Sequence, residues 1–181
     1  AAQGVTIVQL TDLHVSPWTA DNFVARLVDR TNALRPDLIV LTGDVVDGII
    51  EQIGQKISVL SRLRARHGIF FVTGNHEYYV GIQDWMPAIE KFGITVLDNK
   101  GVDVNGMFHL AGIPDRTARR IPGAGEPNVP LALSGRSLDV PAVLLAPATD
   151  LDFRQIAPAG IFHRVAQQVG VDLLDHGRIA L

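Results

Sequence analysis

Residues 38–47 read LIVLTGDVVD, a run of five apolar or β-branched residues that ends abruptly in Gly43, Asp44 and Asp47. The run shows no alternation of polar and apolar positions, which is the pattern of a strand buried on both faces in a helix-covered parallel sheet. Residues 5–10 (VTIVQL) and 69–73 (IFFVT) have the same texture on either side of it. Helical patterns separate the three runs. Phe23, Val24, Leu27, Val28 and Leu34 repeat at helical spacing over residues 22–34, ahead of Pro36. Residues 49–66 read as one amphipathic helix with Gly68 as its C-cap, and residues 85–92 as another before Gly93. This alternation predicts an α/β fold whose parallel strands are joined by right-handed crossovers.

Composition agrees with that class. A chain of 181 residues suits a single domain, residues 1–181, because domains mostly hold ~100–200 residues. The apolar fraction of 47% excludes a wholly disordered chain. Sixteen Lys and Arg against nineteen Asp and Glu give a net charge of −3, which argues against a dedicated nucleic-acid binder. With no cysteine, disulfides, thiolate metal sites and cysteine nucleophiles are excluded, so any metal must be held by nitrogen and oxygen. No apolar run reaches the ~18 residues that a membrane span needs. The start, AAQGVTIVQL, lacks both Met and a basic leader region, consistent with a processed product or a piece of a longer protein.

After residue 94 the pattern changes. Residues 95–97, 102–104 and 107–111 read as short strands of a meander, and residues 143–146 as a further buried strand. Residues 114–130, with four Pro and three basic residues, read as a long surface loop. Farther on, residues 162–169 suggest a helix and residues 171–174 a strand.

The polar groups that carry chemistry follow directly on the three buried runs. Asp12 and His14 follow the first, Gly43, Asp44 and Asp47 the second, and Gly74, Asn75, His76 and Glu77 the third. The C-terminal ends of parallel strands open onto one edge, so these clusters should meet in space. Carboxylate, imidazole and amide oxygen together suit Mn, Fe, Zn or Mg. Each residue has a plainer reading as well. Asp12 fits a helix N-cap, His14 a packed core histidine, and Asn75 a turn residue tolerant of positive φ. Three such coincidences at three successive strand ends argue for one shared site.

The motifs TDLH (11–14), GDVVD (43–47) and GNHE (74–77) resemble the D-x-H, G-D-x-x-D and G-N-H-[DE] blocks of the calcineurin-like metallophosphoesterases. FVTGNHEYY and Trp85 further resemble a bacterial branch whose members are often membrane-associated, and AGIPDR (111–116) resembles the segment before its variable loop. The resemblance spans about residues 4–146 and implies an αββα sandwich, incomplete at the C-terminus. It further implies a binuclear site in which Asp12 and His14 hold one metal, Asp44 bridges two, and Asn75 holds the second. His76 would meet the phosphate and protonate or stabilise the leaving oxygen, while Asp47 orients His76. Two cations ~3.5–4 Å apart would activate a bridging water for hydrolysis of a phosphomono- or phosphodiester.

The pattern departs from the family late in the chain. A histidine is expected after the strand at 141–146, where Pro147 stands, and no H-x-H block exists. His176 and His163 are weak substitutes for the missing ligands, each better read as a surface or packing histidine. The catalytic unit of the family is expected to extend beyond Leu181, and a frameshift or truncation is the expected origin of the altered tail. The alternative to an enzyme is therefore a catalytically incompetent remnant that binds at most one metal or phosphate. Arg116, Arg119 and Arg120 read either as an anion-attracting lip or as a solvated loop. His67 reads as a helix C-terminal residue, Trp85 as a packing residue, and Trp18 as either packing or flanking the cleft. A phosphoester is the expected substrate; membrane association would come through segments outside this chain, and oligomeric state and compartment stay open.

Overall fold

A computed structural model describes residues 5–147 of the protein. Strands β1 (Ile7–Leu10), β2 (Leu38–Thr42), β3 (Ile69–Val72) and β4 (Thr95–Val96) form a parallel sheet in that order. Their crossovers carry helices α1 (Phe23–Ala33), α2 (Ile50–Ser58), α3 (Asn75–Tyr79) and α4 (Ile82–Lys91). Leu10 pairs with Leu41, and Leu41 with Phe71, so β1, β2 and β3 end nearly level along one edge.

A second sheet is built from β5 (Lys100–Val104), β6 (Phe108–Gly112) and β7 (Ala142–Leu145), antiparallel between the first two and parallel between the last two. Asn105 and Gly106 join β5 to β6 with φ of 52° and 67°, the left-handed pair that an Asn-Gly hairpin turn requires. The continuous apolar runs now have their reason. Ile39, Leu41 and Phe71 pack toward the helices with Leu27, Ile53 and Ile89, whereas Leu38, Val40, Phe70 and Val72 pack against Val104, Phe108, Leu110 and Leu145 of the second sheet. Both faces of β2 are covered, and each fully buried Leu or Ile contributes about 1.5–3 kcal/mol. Over the outer face of the second sheet lies α5 (Val129–Ala132), where Ala132 packs on Ala111 and Ile113.

Several sequence-based expectations need correction. The meander does not form: β4 joins the parallel sheet beside β3, and only β5 and β6 make a hairpin. The helix expected over 49–66 ends as an α-helix at Ser58 and continues as a 3-10 turn, Val59–Arg62. There the Asn32 side chain accepts from Arg64 N at 2.8 Å and donates to Arg62 O at 2.9 Å, replacing the next helical bonds. His67 and Gly68 consequently lie in a bend that leads into β3, with Gly68 at a φ of 109°, and His67 is not at a helix terminus. Residues 114–130 are not a featureless loop. Asp115 caps a 3-10 turn, Arg116–Arg120, by accepting from Thr117 N at 2.7 Å, and Asn128 caps α5 by accepting from Leu131 N at 2.9 Å. The helix and strand expected at 162–169 and 171–174, with His163 and His176, lie outside the described residues.

Candidate metal and phosphoester site

Beyond the sheet edge, the chains leaving β1 and β2 stay side by side. Asp12 N donates to Gly43 O at 3.2 Å, His14 N to Asp44 O at 2.9 Å and Val15 N to Val45 O at 3.0 Å, while Asp47 N returns to Val15 O at 2.8 Å. This paired exit carries Asp12 and His14 to Asp44 and Asp47, although more than thirty residues separate them in sequence. Asp12, His14 and Asp44 all sit at positive φ, 53°, 45° and 53°. Non-glycine residues hold that conformation where the surroundings over-determine it, typically at functional sites.

Ligand atoms of Asp12, His14 and Asp44 lie within 4.8 Å of one another, and so do those of His14, Asp47 and His76. His14 Nε2 stands 3.9 Å from Asp12 Oδ1. The Asp47 carboxylate lies between the two imidazoles. One oxygen accepts from His14 Nδ1 at 3.1 Å and the other is hydrogen-bonded to His76 Nδ1. The two rings meet edge to face with centroids 4.5 Å apart. Asp47 therefore touches both rings, and its bond to His14 was not expected from the sequence.

Asp44 is buried while Asp12, His14, Asp47 and His76 are partly open to solvent, so the cluster has a buried floor and an accessible rim. His76 N donates to Asp44 Oδ1 at 3.0 Å, which ties the start of α3 to the end of β2. Asn75 occupies the first position of α3, half-buried, and its side-chain amide makes no hydrogen bond among the described residues. Gly43 is required by both conformation and space: its φ is 85°, and a Cβ there would come within 2.6 Å of Gly74 N and Cα.

One buried and one half-buried carboxylate, Glu77 and Asp98, which sequence reasoning left without a role, hold this edge together. Glu77, 1% exposed, accepts from Val45 N at 2.7 Å, Gly74 N at 2.8 Å and Asp44 N at 3.0 Å. Burial pushes its carboxyl above the ordinary range, opposed by those backbone donors. The signal in the sequence was its place three residues after Gly74, where an acidic side chain reaches back to the helix N-cap. Asp98 accepts from Thr73 N at 3.1 Å and Thr73 Oγ1 at 2.8 Å, and burial likewise raises its carboxyl. Thr73 Oγ1 also meets Tyr78 OH at 2.9 Å, securing α3 from its other side.

Residues flanking the site divide clearly. Trp85 is fully buried and donates from Nε1 to Gly48 O at 3.1 Å, so it packs; Trp18 is 92% exposed and does not. The 3-10 turn carrying the three arginines packs against α3, and Arg119 pairs with Glu126 at 3.4 Å. His67 meets Asn105 at 2.8 Å just before β3, at the strand end opposite Asn75, and His109 is buried with Nε2 on Ala132 O at 3.1 Å. Pro147 follows β7 and offers no ligand atom.

An α/β sandwich with carboxylates and imidazoles gathered at its strand ends is the architecture of a metallophosphoesterase. The chain belongs to the calcineurin-like phosphoesterase family, whose sequence model matches residues 5–155. A metallophosphoesterase of Helicobacter pylori is 35% identical over 140 residues, covering 77% of this chain and 37% of its own length. A transmembrane protein with a metallophosphoesterase domain from Danio rerio is 34% identical over 152 residues, 79% of this chain and 35% of its own. The chain spans about a third of the length of these curated relatives. The crystal structure of the 5′-nucleotidase precursor from Thermus thermophilus shares the fold, with a TM-score of 0.51 at 18% identity over 78% of this chain and 36% of that one.

Proposed function

We propose that the chain carries the site of a metal-dependent hydrolase of phosphomono- or phosphodiesters. The observation that carries this reading is the convergence of Asp12, His14 and Asp44 on one point, within 4.8 Å, at the accessible end of the parallel sheet. Two carboxylates and one imidazole match the donor preferences of manganese, iron, zinc and magnesium. In this reading Asp12, His14 and Asp44 hold one cation, and Asp44 with Asn75 a second. Divalent cations bound there would offset phosphoryl charge and lower the pKa of a bound water.

The chain's own residues supply orientation and a proton. Asp47 occupies Nδ1 of His76, which leaves Nε2 as the ring nitrogen available to a substrate. With Nδ1 held in this way, Nε2 is the ring nitrogen that would donate to the leaving oxygen. The same carboxylate fixes the His14 ring with Nε2 toward Asp12, the arrangement a metal-binding histidine needs. Asp44 uses Oδ1 to accept from His76 N and keeps its other oxygen for a ligand.

One observation favours the rival reading, a remnant that binds a single cation or phosphate without turnover: Pro147 stands after β7, where a ligand histidine would complete the site. Turnover of bis(p-nitrophenyl) phosphate with added manganese separates the two. Activity lost on Asp44→Asn and on His76→Ala supports the hydrolase. Absence of turnover, with one manganese bound per chain by elemental analysis, supports the remnant. Membrane association belongs to this reading only through the name of the Danio rerio relative; no described helix is long and apolar enough to cross a membrane.

A further inference from the structure

The Glu77 carboxylate reaches the candidate ligand Asp44 only at its backbone N–H, yet it is the most deeply buried carboxylate beside the cluster. Its two oxygens take three backbone N–H groups from two different strand ends. Oε2 accepts from Asp44 and Gly74, and Oε1 accepts from Val45. Two of those donors flank the turn in which Asp44 is held at a φ of 53°. The third belongs to Gly74, which lies so close that a Cβ on it would stand 2.5 Å from Asp44 N.

We propose that Glu77 is a positioning residue of the cation site, a carboxylate clamp that sets the left-handed backbone of Asp44 and thereby the direction of its side chain. The inference rests on the proposed cation site. The clamp works because a carboxylate has acceptors only, and both N–H groups of the Asp44–Val45 turn must point the same way to reach it. With that turn fixed, Asp44 Oδ1 meets His76 N, and an Asp44 carboxylate oxygen lies within 4.8 Å of ligand atoms of Asp12 and His14. Without it, nothing else among the described contacts binds the Asp44 and Val45 N–H groups, and the turn is free to leave a conformation that L residues rarely adopt. The same bonds close the gap between β2 and β3, so a stability effect is expected too, and the test must separate the two.

Glu77→Gln does so. An amide has one acceptor oxygen and one donor nitrogen, so at least one of the three N–H groups would face an N–H₂ group and turn away. Manganese affinity of the 181-residue chain is measured by calorimetry, and the visible spectrum of the cobalt-loaded chain reports ligand geometry. Ile57→Val, buried in the helix-side core, is the stability control. The expected result is at least a tenfold weaker manganese affinity and an altered cobalt spectrum for Glu77→Gln, neither of which appears in Ile57→Val. Should Glu77→Gln fold poorly, Glu77→Asp, which retains both acceptors on a shorter stem, replaces it with the same expectation. Wild-type affinity and spectrum in a folded Glu77 variant would overturn the clamp while leaving the cation site standing. Failure of both variants to fold would make Glu77 a determinant of stability only, and would also overturn it. A wild-type chain that binds no manganese would overturn the proposed site and the clamp together.

Discussion

Gly74→Ala tests whether the spacing between two strand ends governs the site. Gly74 has φ of −91° and ψ of −171°, ordinary extended backbone, so alanine meets no conformational penalty there. The obstacle is contact alone. A Cβ would overlap Asp44 Oδ1 and stand 2.5 Å from Asp44 N, whereas real Cβ atoms keep at least 3.0 Å. The Asp44 backbone must therefore retreat by at least 0.5 Å, which already reaches the ~0.5 Å tolerance of a working site. Overpacking of this kind costs about 1–3 kcal/mol, and each kcal/mol lowers the melting midpoint by about 2–4 °C in a chain of this size. Gly93→Ala is the matched control: φ is 80°, no atom lies within 4 Å, and the left-handed backbone alone costs about 1–2 kcal/mol. Thermal circular dichroism should show comparable losses for the two variants, while calorimetry with manganese should show at least ~10-fold weaker binding, about 1.4 kcal/mol, only for Gly74→Ala. Wild-type manganese affinity in a destabilised Gly74→Ala would refute the reasoning, because Asp44 would then have moved without consequence.

Three further outcomes follow from the same geometry. Asp47→Asn should lower kcat for an aryl phosphodiester by about 10–100-fold with little change in melting midpoint, since it loosens two imidazoles at a half-exposed position; steady-state kinetics with manganese checks this. Asp98→Asn tests linkage. Burial lifts the Asp98 carboxyl, so the folded chain holds its proton more tightly than the unfolded chain; that contribution is full below the unfolded value and is lost as pH rises through the lifted one. The melting midpoint of the wild type relative to Asp98→Asn should accordingly fall as pH rises above the ordinary aspartate value of about 4. Trp85→Phe removes the donor to Gly48 O in a fully buried position and should cost about 1–3 kcal/mol, read as a lower midpoint in thermal circular dichroism.

The elements most legible in the sequence were those with the least freedom. The uninterrupted run at 38–42 admitted only a strand covered on both sides, and β2 has every residue buried. The helix over 22–34 was equally clear, because its apolar stripe spans three turns. Short or side-chain-capped segments were not legible. Five residues of α3 are too few to show a period, and the 3-10 turn at Arg116–Arg120 depends on a bond from Asp115 rather than on apolar spacing. The misread meander has a similar cause. Two residues of β4 look alike whether they pair with β3 or with β5, and only the pairing of Phe71 with Val96 decides.

The site divides along the same line. Chain order and residue type alone placed Asp12, His14, Asp44, Asn75 and His76 at successive strand ends, because buried parallel strands must share an edge. Tertiary structure alone decided that one Asp47 carboxylate serves two imidazoles, and that Glu77 holds the Asp44 turn through three backbone N–H groups. Periodicity reports which face of an element is buried; it carries no record of which backbone donors from distant segments converge on one side chain. That convergence exists only once the strands have packed.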